Sequence, residues 1–237
     1  MKKLKIAVIV ADVDEYKPLA ERIEKSGYEE YSFLGRRGHK FTVKTENGSA
    51  TVCTLLCGIG MINAAAAASH FATKGFDIIL NYGLSGGISG IKRGELSLAD
   101  KFLEHDFDLT GIGYKPYEKP GQEYVYKADE KLMSLMMGQI PNIKTGTAVS
   151  GDCFICDEQV RNTLKNDFDA MSCDMETAAI AYVCNFGNIP FLALRRISDD
   201  AGDNATESYR EMNEKAEALL SDIIIDFIPV IVNSYEA

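Results

Sequence analysis

The chain has 237 residues, 46% of them hydrophobic, enough to bury one large core and within the range of a single α/β domain over residues 1–237. Its formal net charge of −10 argues against nucleic acid, because proteins that grip phosphodiester backbones gather Lys and Arg on one face; a small-molecule partner is expected instead. Apolar runs such as Ile78 to Leu80 and Ile223 to Ile225 are broken by Asp, Asn or Gly, far short of the roughly 20 residues of a membrane span, so no membrane association is expected. The basic start, Met1 to Lys5, leads straight into Ile6 to Val10 with no small-residue cleavage site, which reads as a first buried strand of a cytoplasmic protein.

Apolar strand-like runs alternate with stretches of helical period, the pattern of an α/β sandwich whose sheet is covered on both faces. Residues 5–10 read as a strand and 15–26 as a helix, followed by strands at 30–34, 39–46 and 49–56 with Gly-containing turns such as Asn47-Gly48. The run Ala64 to Ala68 predicts a helix, 77–82 a buried strand, and 94–105 two short strands around Ala99-Asp100. Residues 106–122, rich in Gly, Pro and aromatics, read as a long excursion loop. Helices at 128–137, 157–165 and 175–185, strands at 143–149, 170–174 and 190–197, and one C-terminal helix over 207–232 complete the chain.

Six cysteines are dispersed through apolar stretches, and Cys153-Phe154-Ile155-Cys156 has no second CxxC or nearby His to support a metal; buried thiols and no metal are expected. Cys57-Gly58-Ile59-Gly60 joins strand to helix through two glycines, a turn that either aims helix N–H groups at a ligand or simply packs helix on sheet. A dinucleotide fingerprint would need a third glycine where Asn63 stands. The segment Asn81 to Ile88 places three glycines at a strand exit, open to a flat ligand. Asp174-Met175-Glu176 sets two carboxylates where a strand becomes a helix, suited to capping or to gripping vicinal hydroxyls. Ile197-Ser198-Asp199-Asp200 ends an apolar strand with a hydroxyl beside an acid, and on its own reads equally as a helix cap.

In combination and in this order, these segments resemble the bacterial 5'-methylthioadenosine/S-adenosylhomocysteine nucleosidases of the purine nucleoside phosphorylase superfamily. The resemblance runs through Lys5 to Ile9 with Glu15, Gly58-Ile59-Gly60 with Asn63 to Ala65, and Asn81 to Gly87. It continues through His105-Asp106 to Tyr114, Val149 to Asp152 with Phe154-Ile155, Asp174 to Glu176, and Arg195 to Asp199. It implies a three-layer α/β/α sandwich with a mixed, twisted, partly barrel-like central sheet, a homodimer, no cofactor, and a place in methionine salvage.

By the same resemblance, Asp199 protonates N7 of the departing adenine and Ser198 holds its carboxyl group. Glu15 positions and deprotonates the attacking water, Glu176 grips the ribose hydroxyls, and Met175 packs on the sugar. Phe154 and Ile155 form the base site, Asp174, Leu84, Ser85 and Gly86 line the pocket, and Ile112 and Pro120 lie near the 5' substituent of a partner subunit's substrate. The chemistry sets opposite demands: Asp199 must arrive protonated, although a free Asp titrates at about 3.9, whereas Glu15 must be ionised. Three positions depart from the pattern, Leu84 standing for a Ser, Asp174 for a Glu and Ile112 for a Phe. Related hexameric phosphorylases carry Arg and Ser where Asn81 and Leu84 stand, which favours water over phosphate as nucleophile. Arg36 and Arg37 lie in a region from which phosphorylases recruit an Arg, so phosphorolysis is the alternative; a non-catalytic nucleoside-binding protein is the second.

Overall fold

A computed structural model describes residues 2–214 and 218–235. The first strand, β1 (Lys2–Val10), turns Leu4, Ile6, Val8 and Val10 to one face and Ala7 and Ile9 to the other, the two-residue period of a strand buried on both sides. The strands β5 (Ile78–Gly87) and β10 (Phe191–Asp199) alternate in the same way. Against one face pack α1 (Val13–Glu24), α3 (Glu130–Gln139) and α7 (Leu219–Ser234), through residues such as Tyr16, Leu19, Met136, Phe227 and Ile231. Against the other pack α2 (Met61–Thr73) and α5 (Thr177–Gly187), whose Ala64, Ala68, Ala178 and Ala181 allow close approach. Each large apolar side chain so buried contributes about 1.5–3 kcal/mol. The layers are those expected.

All ten strands of the described residues belong to one mixed sheet. Beside β1 run β4 (Gly48–Leu56), β3 (Arg36–Lys44) and β2 (Glu29–Phe33), the early meander. On its other side β1 pairs only with the first half of β5, through Asn81. The second half of β5 parts from β1 and is flanked by β10 and by β9 (Ala170–Asp174). From β10 the pairing continues through β6 (Leu96–Glu104) and β8 (Lys144–Ser150) back to β9, so five strands close into a ring. The short β7 (Tyr126–Lys127) hangs on β6, α4 (Glu158–Phe168) covers β8 and β9, and α6 (Ala205–Glu214) follows β10.

Several elements differ from the sequence reading. The strand expected to end at residue 82 runs to Gly87, because its glycines are the closure point of the ring and pair with Cys173 and Asp199. The two short strands expected within 94–105 are one, β6, with its register shifted between Ala99 and Lys101; the Asp100 carbonyl at that bulge accepts the Ala128 N–H at 3.1 Å. The single C-terminal helix expected over 207–232 is two, α6 and α7, and the expected stretch 215–217 lies outside the described residues.

A Cβ added at Gly86 would stand 3.0 Å from Cys173 Sγ, 3.1 Å from Asp199 Oδ1 and 3.2 Å from Ala201 Cβ, atoms of β9 and of the stretch that ends β10, which meet Gly86 at the closure. Gly86→Ala is therefore expected to lower the unfolding free energy by about 1–3 kcal/mol, read as a lower urea midpoint at unchanged m-value. An unchanged midpoint would show that the ring yields to a methyl group without cost.

Candidate active site

A cavity of about 350 Å³ opens where β1, β4, β5, β9 and β10 end, the carboxyl edge at which α/β sheets place their ligands. All eleven residues assigned from sequence to one chain's site line it: Glu15, Leu84, Ser85, Gly86, Phe154, Ile155, Asp174, Met175, Glu176, Ser198 and Asp199. Ile112 and Pro120 do not; both are exposed on the 106–122 excursion, where a 3-10 turn at Thr110–Ile112 is the only regular element among residues 106–122.

Beneath the cavity lies a buried ion pair. Asp174, at the end of β9, accepts from Arg195 Nε at 3.0 Å, Ser150 Oγ at 2.6 Å, the Glu176 N–H at 3.1 Å, the Thr177 N–H at 3.0 Å and the Thr177 hydroxyl. Burial alone would raise its proton affinity, but the guanidinium of Arg195 and these donors outweigh it and hold the carboxyl below the usual range. Arg195 donates further to Asn81 and to Thr177 Oγ1, and Asn81 Nδ2 donates to the Ile9 carbonyl at 2.8 Å. The carboxylate of Asp174 is thus occupied by protein donors, and the Asn81 position is tied to β1 and Arg195.

Asp199 ends β10 just after a register shift between Ile197 and Asp199, an irregularity that re-aims the side chain into the cavity. Ser198 Oγ donates to Asp199 Oδ2 at 2.6 Å, and the Ala201 N–H donates to Oδ1 at 2.8 Å. The second contact closes a local Asx turn ahead of α6, which begins only at Ala205, so Asp199 does not serve as the helix cap that the isolated segment equally suggested. Asp199 is 2% exposed, and burial raises its proton affinity against the opposing effect of those two donors.

Glu176 receives the Gly60 N–H at 2.9 Å, and Asp152 receives the Met61 N–H at 2.7 Å. The first amides of α2, at a turn read from sequence either as aiming them at a ligand or as packing helix on sheet, therefore serve protein carboxylates. Gly60 holds φ of 103°, a conformation that suits glycine, and a Cβ there would lie 2.9 Å from Asp152 Oδ1. Burial raises the proton affinity of Glu176, and the adjacent Asp174 charge adds to the effect.

Glu15 reaches the cavity from the first turn of α1 and accepts the Leu84 N–H through Oε1 at 2.6 Å. Gly83 makes the room, since a Cβ there would stand 2.8 Å from Glu15 Oε2. The expectation that Glu15 is held ionised is not met in the free protein: burial pushes it up to about 8, outweighing Leu84 and the Arg195 charge. Arg195 is already neutralised by Asp174, which leaves Glu15 without a counter-ion of its own.

Sequence reasoning missed Ala11, Asp12, Ile59, Cys153, Cys173 and Tyr209, which also line the cavity. Asp12 carries the ordinary signal of a helix cap and accepts the Asp14 N–H at 2.7 Å, while Tyr209 sits on α6 with no motif around it. No Lys or Arg among the described residues lines the cavity. Arg36 is exposed, its guanidinium over Gly58 and 3.4 Å from Asn63 Oδ1.

A Glu titrates near 4.5 in the unfolded chain, so below that value Glu15 is protonated in both states. Between 4.5 and about 8 the unfolded chain has released this proton while the native state keeps it, so its contribution to stability is lost as pH rises. Glu15→Gln lacks that loss and is expected to gain on the order of 4 kcal/mol over the parent between pH 5 and pH 8.5 in urea unfolding, about three pH units at about 1.36 kcal/mol each. An equal difference at both pH values would contradict the raised proton affinity.

The profile of the phosphorylase superfamily matches residues 5–229. A 5'-methylthioadenosine/S-adenosylhomocysteine nucleosidase of Geobacillus sp. is 30% identical over 233 residues, 95% of this chain and 98% of its own. An aminodeoxyfutalosine nucleosidase of Campylobacter jejuni is 31% identical over 219 residues, 88% of this chain and 91% of its own. Among solved structures, the Streptococcus pneumoniae MTA/SAH nucleosidase in complex with 8-aminoadenine superposes with a TM-score of 0.84 at 26% identity, covering 95% of this chain and 99% of the other. With the fold, the carboxylate-lined cavity and these likenesses in agreement, the chain belongs to the phosphorylase superfamily and, within it, to the family of the 5'-methylthioadenosine/S-adenosylhomocysteine nucleosidases.

Proposed function

We propose that the protein hydrolyses the N-glycosidic bond of a 5'-substituted adenosine, 5'-methylthioadenosine or S-adenosylhomocysteine, giving adenine and the 5'-thio-substituted ribose. The observation that carries this reading is the cavity lining: Asp12, Glu15, Asp174, Glu176 and Asp199 contribute carboxyl groups, and no described cation accompanies them there. Phosphorolysis needs cationic groups to hold phosphate, so this lining favours water.

In the reaction the bond from C1' to N9 breaks, its electron pair moves into the purine, and N7 takes the proton of Asp199. The sugar becomes oxocarbenium-like, and the negative lining stabilises it. Water attacks C1' from the opposite face and gives its proton to Glu15, so direct attack inverts the anomeric carbon. The raised proton affinity of Asp199 suits an acid that must arrive protonated. That of Glu15, at about 8, makes its carboxylate a strong proton acceptor, and the form that acts is the one that has already released its own proton to solvent before water attacks. Glu176 holds the ribose hydroxyls beside Met175, and Phe154 with Ile155 walls the base. The buried Ser85 Oγ, which has no partner among the described residues, is free to meet the nucleoside.

The same reading includes a cytoplasmic homodimer acting in methionine salvage, with Ile112 and Pro120 completing the 5' site of the partner. Six free cysteines suit a reducing compartment. Ile62, Ile112, Tyr182 and Phe186, all large and exposed, supply apolar surface for a second copy to cover.

Adenine release from a panel of 5'-substituted adenosines, with and without phosphate, tests the proposal on the parent and on Asp199→Asn. Phosphate-independent release is expected, with kcat lowered at least about 100-fold in Asp199→Asn. Release that requires phosphate points to a phosphorylase, full activity of Asp199→Asn removes the general acid, and binding without turnover indicates a nucleoside-binding protein.

A further inference from the structure

Two carboxylates share the first amides of α2: Glu176 Oε1 takes the Gly60 N–H at 2.9 Å and Asp152 Oδ1 takes the Met61 N–H at 2.7 Å. Of the two, only Glu176 lines the cavity. Gly60, at the cap position, has no side chain to satisfy these amides, so the cap of α2 is supplied by Asp152 from 91 residues along the chain. Gly60 holds φ of 103° with Asp152 Oδ1 only 2.9 Å from where a Cβ would stand, so the turn is closed tightly against that carboxyl group.

Asp152 is itself held from behind. Its N–H donates to Asp106 Oδ2 at 2.7 Å, and the neighbouring Gly151 N–H donates to the Asp174 carbonyl at 3.3 Å. A Cβ at Gly151 would lie 2.6 Å from His105 Cε1 and 2.8 Å from Asp106 Cγ, so glycine there lets the end of β6 close on this loop. The result is a continuous chain of contacts from Asp106, through Asp152 and the Gly60-Met61 turn, to the carboxyl of Glu176.

We infer that Asp152 is a positioning residue for sugar recognition, fixing through the α2 turn the Glu176 carboxyl that the nucleosidase reading above, on which this role rests, sets on the ribose hydroxyls. Without the Asp152 acceptor the Met61 N–H loses its partner, the turn is released, and the Gly60 N–H no longer holds Glu176 Oε1 in place. A sugar hydroxyl must then order the carboxyl group as it binds, and that cost falls on the sugar contact alone. The acid at Asp199 keeps its own donors, Ser198 and the Ala201 N–H. A base wall loosened through Phe154, next but one to Asp152, would instead slow every nucleoside alike.

The test compares kcat/KM for adenine release from 5'-methylthioadenosine and from its 2'-deoxy and 3'-deoxy analogues. The enzymes are the parent, Asp152→Ala, Asp152→Asn and Asp106→Ala. The intrinsic lability of each analogue cancels when a variant is compared with the parent on the same substrate. Asp152→Ala is expected to lower kcat/KM for 5'-methylthioadenosine about tenfold, and for at least one deoxy analogue by no more than about twofold. Asp152→Asn keeps an oxygen to accept the Met61 N–H and should stay within about twofold of the parent on all three. Asp106→Ala, which releases the Asp152 N–H instead, should shift the same ratio in the same direction, and it decides the matter if Asp152→Ala does not fold. Equal losses on all three substrates, or an Asn variant as impaired as the Ala variant, overturn the positioning role while leaving hydrolysis intact. No release from 5'-methylthioadenosine by the parent contradicts the nucleosidase reading itself and this role with it.

Discussion

The ion pair between Asp174 and Arg195 is the constraint on which the site depends. Removing two charges from water is expensive, and the pair survives because its remaining hydrogen-bonding capacity is met by Ser150, Thr177, Asn81 and the backbone of Glu176. Those partners come from the end of β8, from Asn81 within β5 and from the start of α5, while Asp174 ends β9 and Arg195 belongs to β10. One buried interaction therefore ties four of the five ring strands together. It also fixes the backbone of Glu176, and it anchors the strand whose end carries Asp199.

Committing Arg195 inward has an electrostatic consequence. The cavity above keeps carboxyl groups without cations of their own, and burial then raises the proton affinities of Glu15, Glu176 and Asp199 together. Such a site is costly to the folded protein at neutral and higher pH. It is also complementary to a cationic sugar, whose charge appears only as the glycosidic bond breaks, so the stabilisation is concentrated in the transition state. The same absence of cations makes the lining inhospitable to phosphate.

Much of this was legible in the sequence. Two-residue alternation in β1 and β10 announced strands buried on both faces, and the alanines of α2 announced a helix packed closely against the sheet. All eleven residues assigned to one chain's site converge on the cavity, because their motifs end strands or begin helices and the sheet gathers those ends at one edge. The closure of the ring was hidden for a physical reason. Gly86 and Gly87 carry no side-chain pattern, and their role appears only when Cys173, Ile197 and Asp199 arrive from distant parts of the chain. Asp12 and Tyr209 were missed because a helix cap and a helical aromatic have ordinary structural explanations. The raised proton affinity of Glu15 depends on the pairing of Arg195 with Asp174, a tertiary fact that no local motif encodes.

Hydrolysis means that water attacks the sugar in a cavity lined by no Lys or Arg among the described residues. Its most direct measurement is the fate of the oxygen at C1 when 5'-methylthioadenosine is cleaved in 18O-labelled water containing excess phosphate, with the products quenched before the free sugar exchanges its anomeric oxygen. One solvent oxygen at C1 of the 5'-methylthioribose and no sugar 1-phosphate are expected. A sugar 1-phosphate bearing unlabelled oxygen at C1 would contradict hydrolysis.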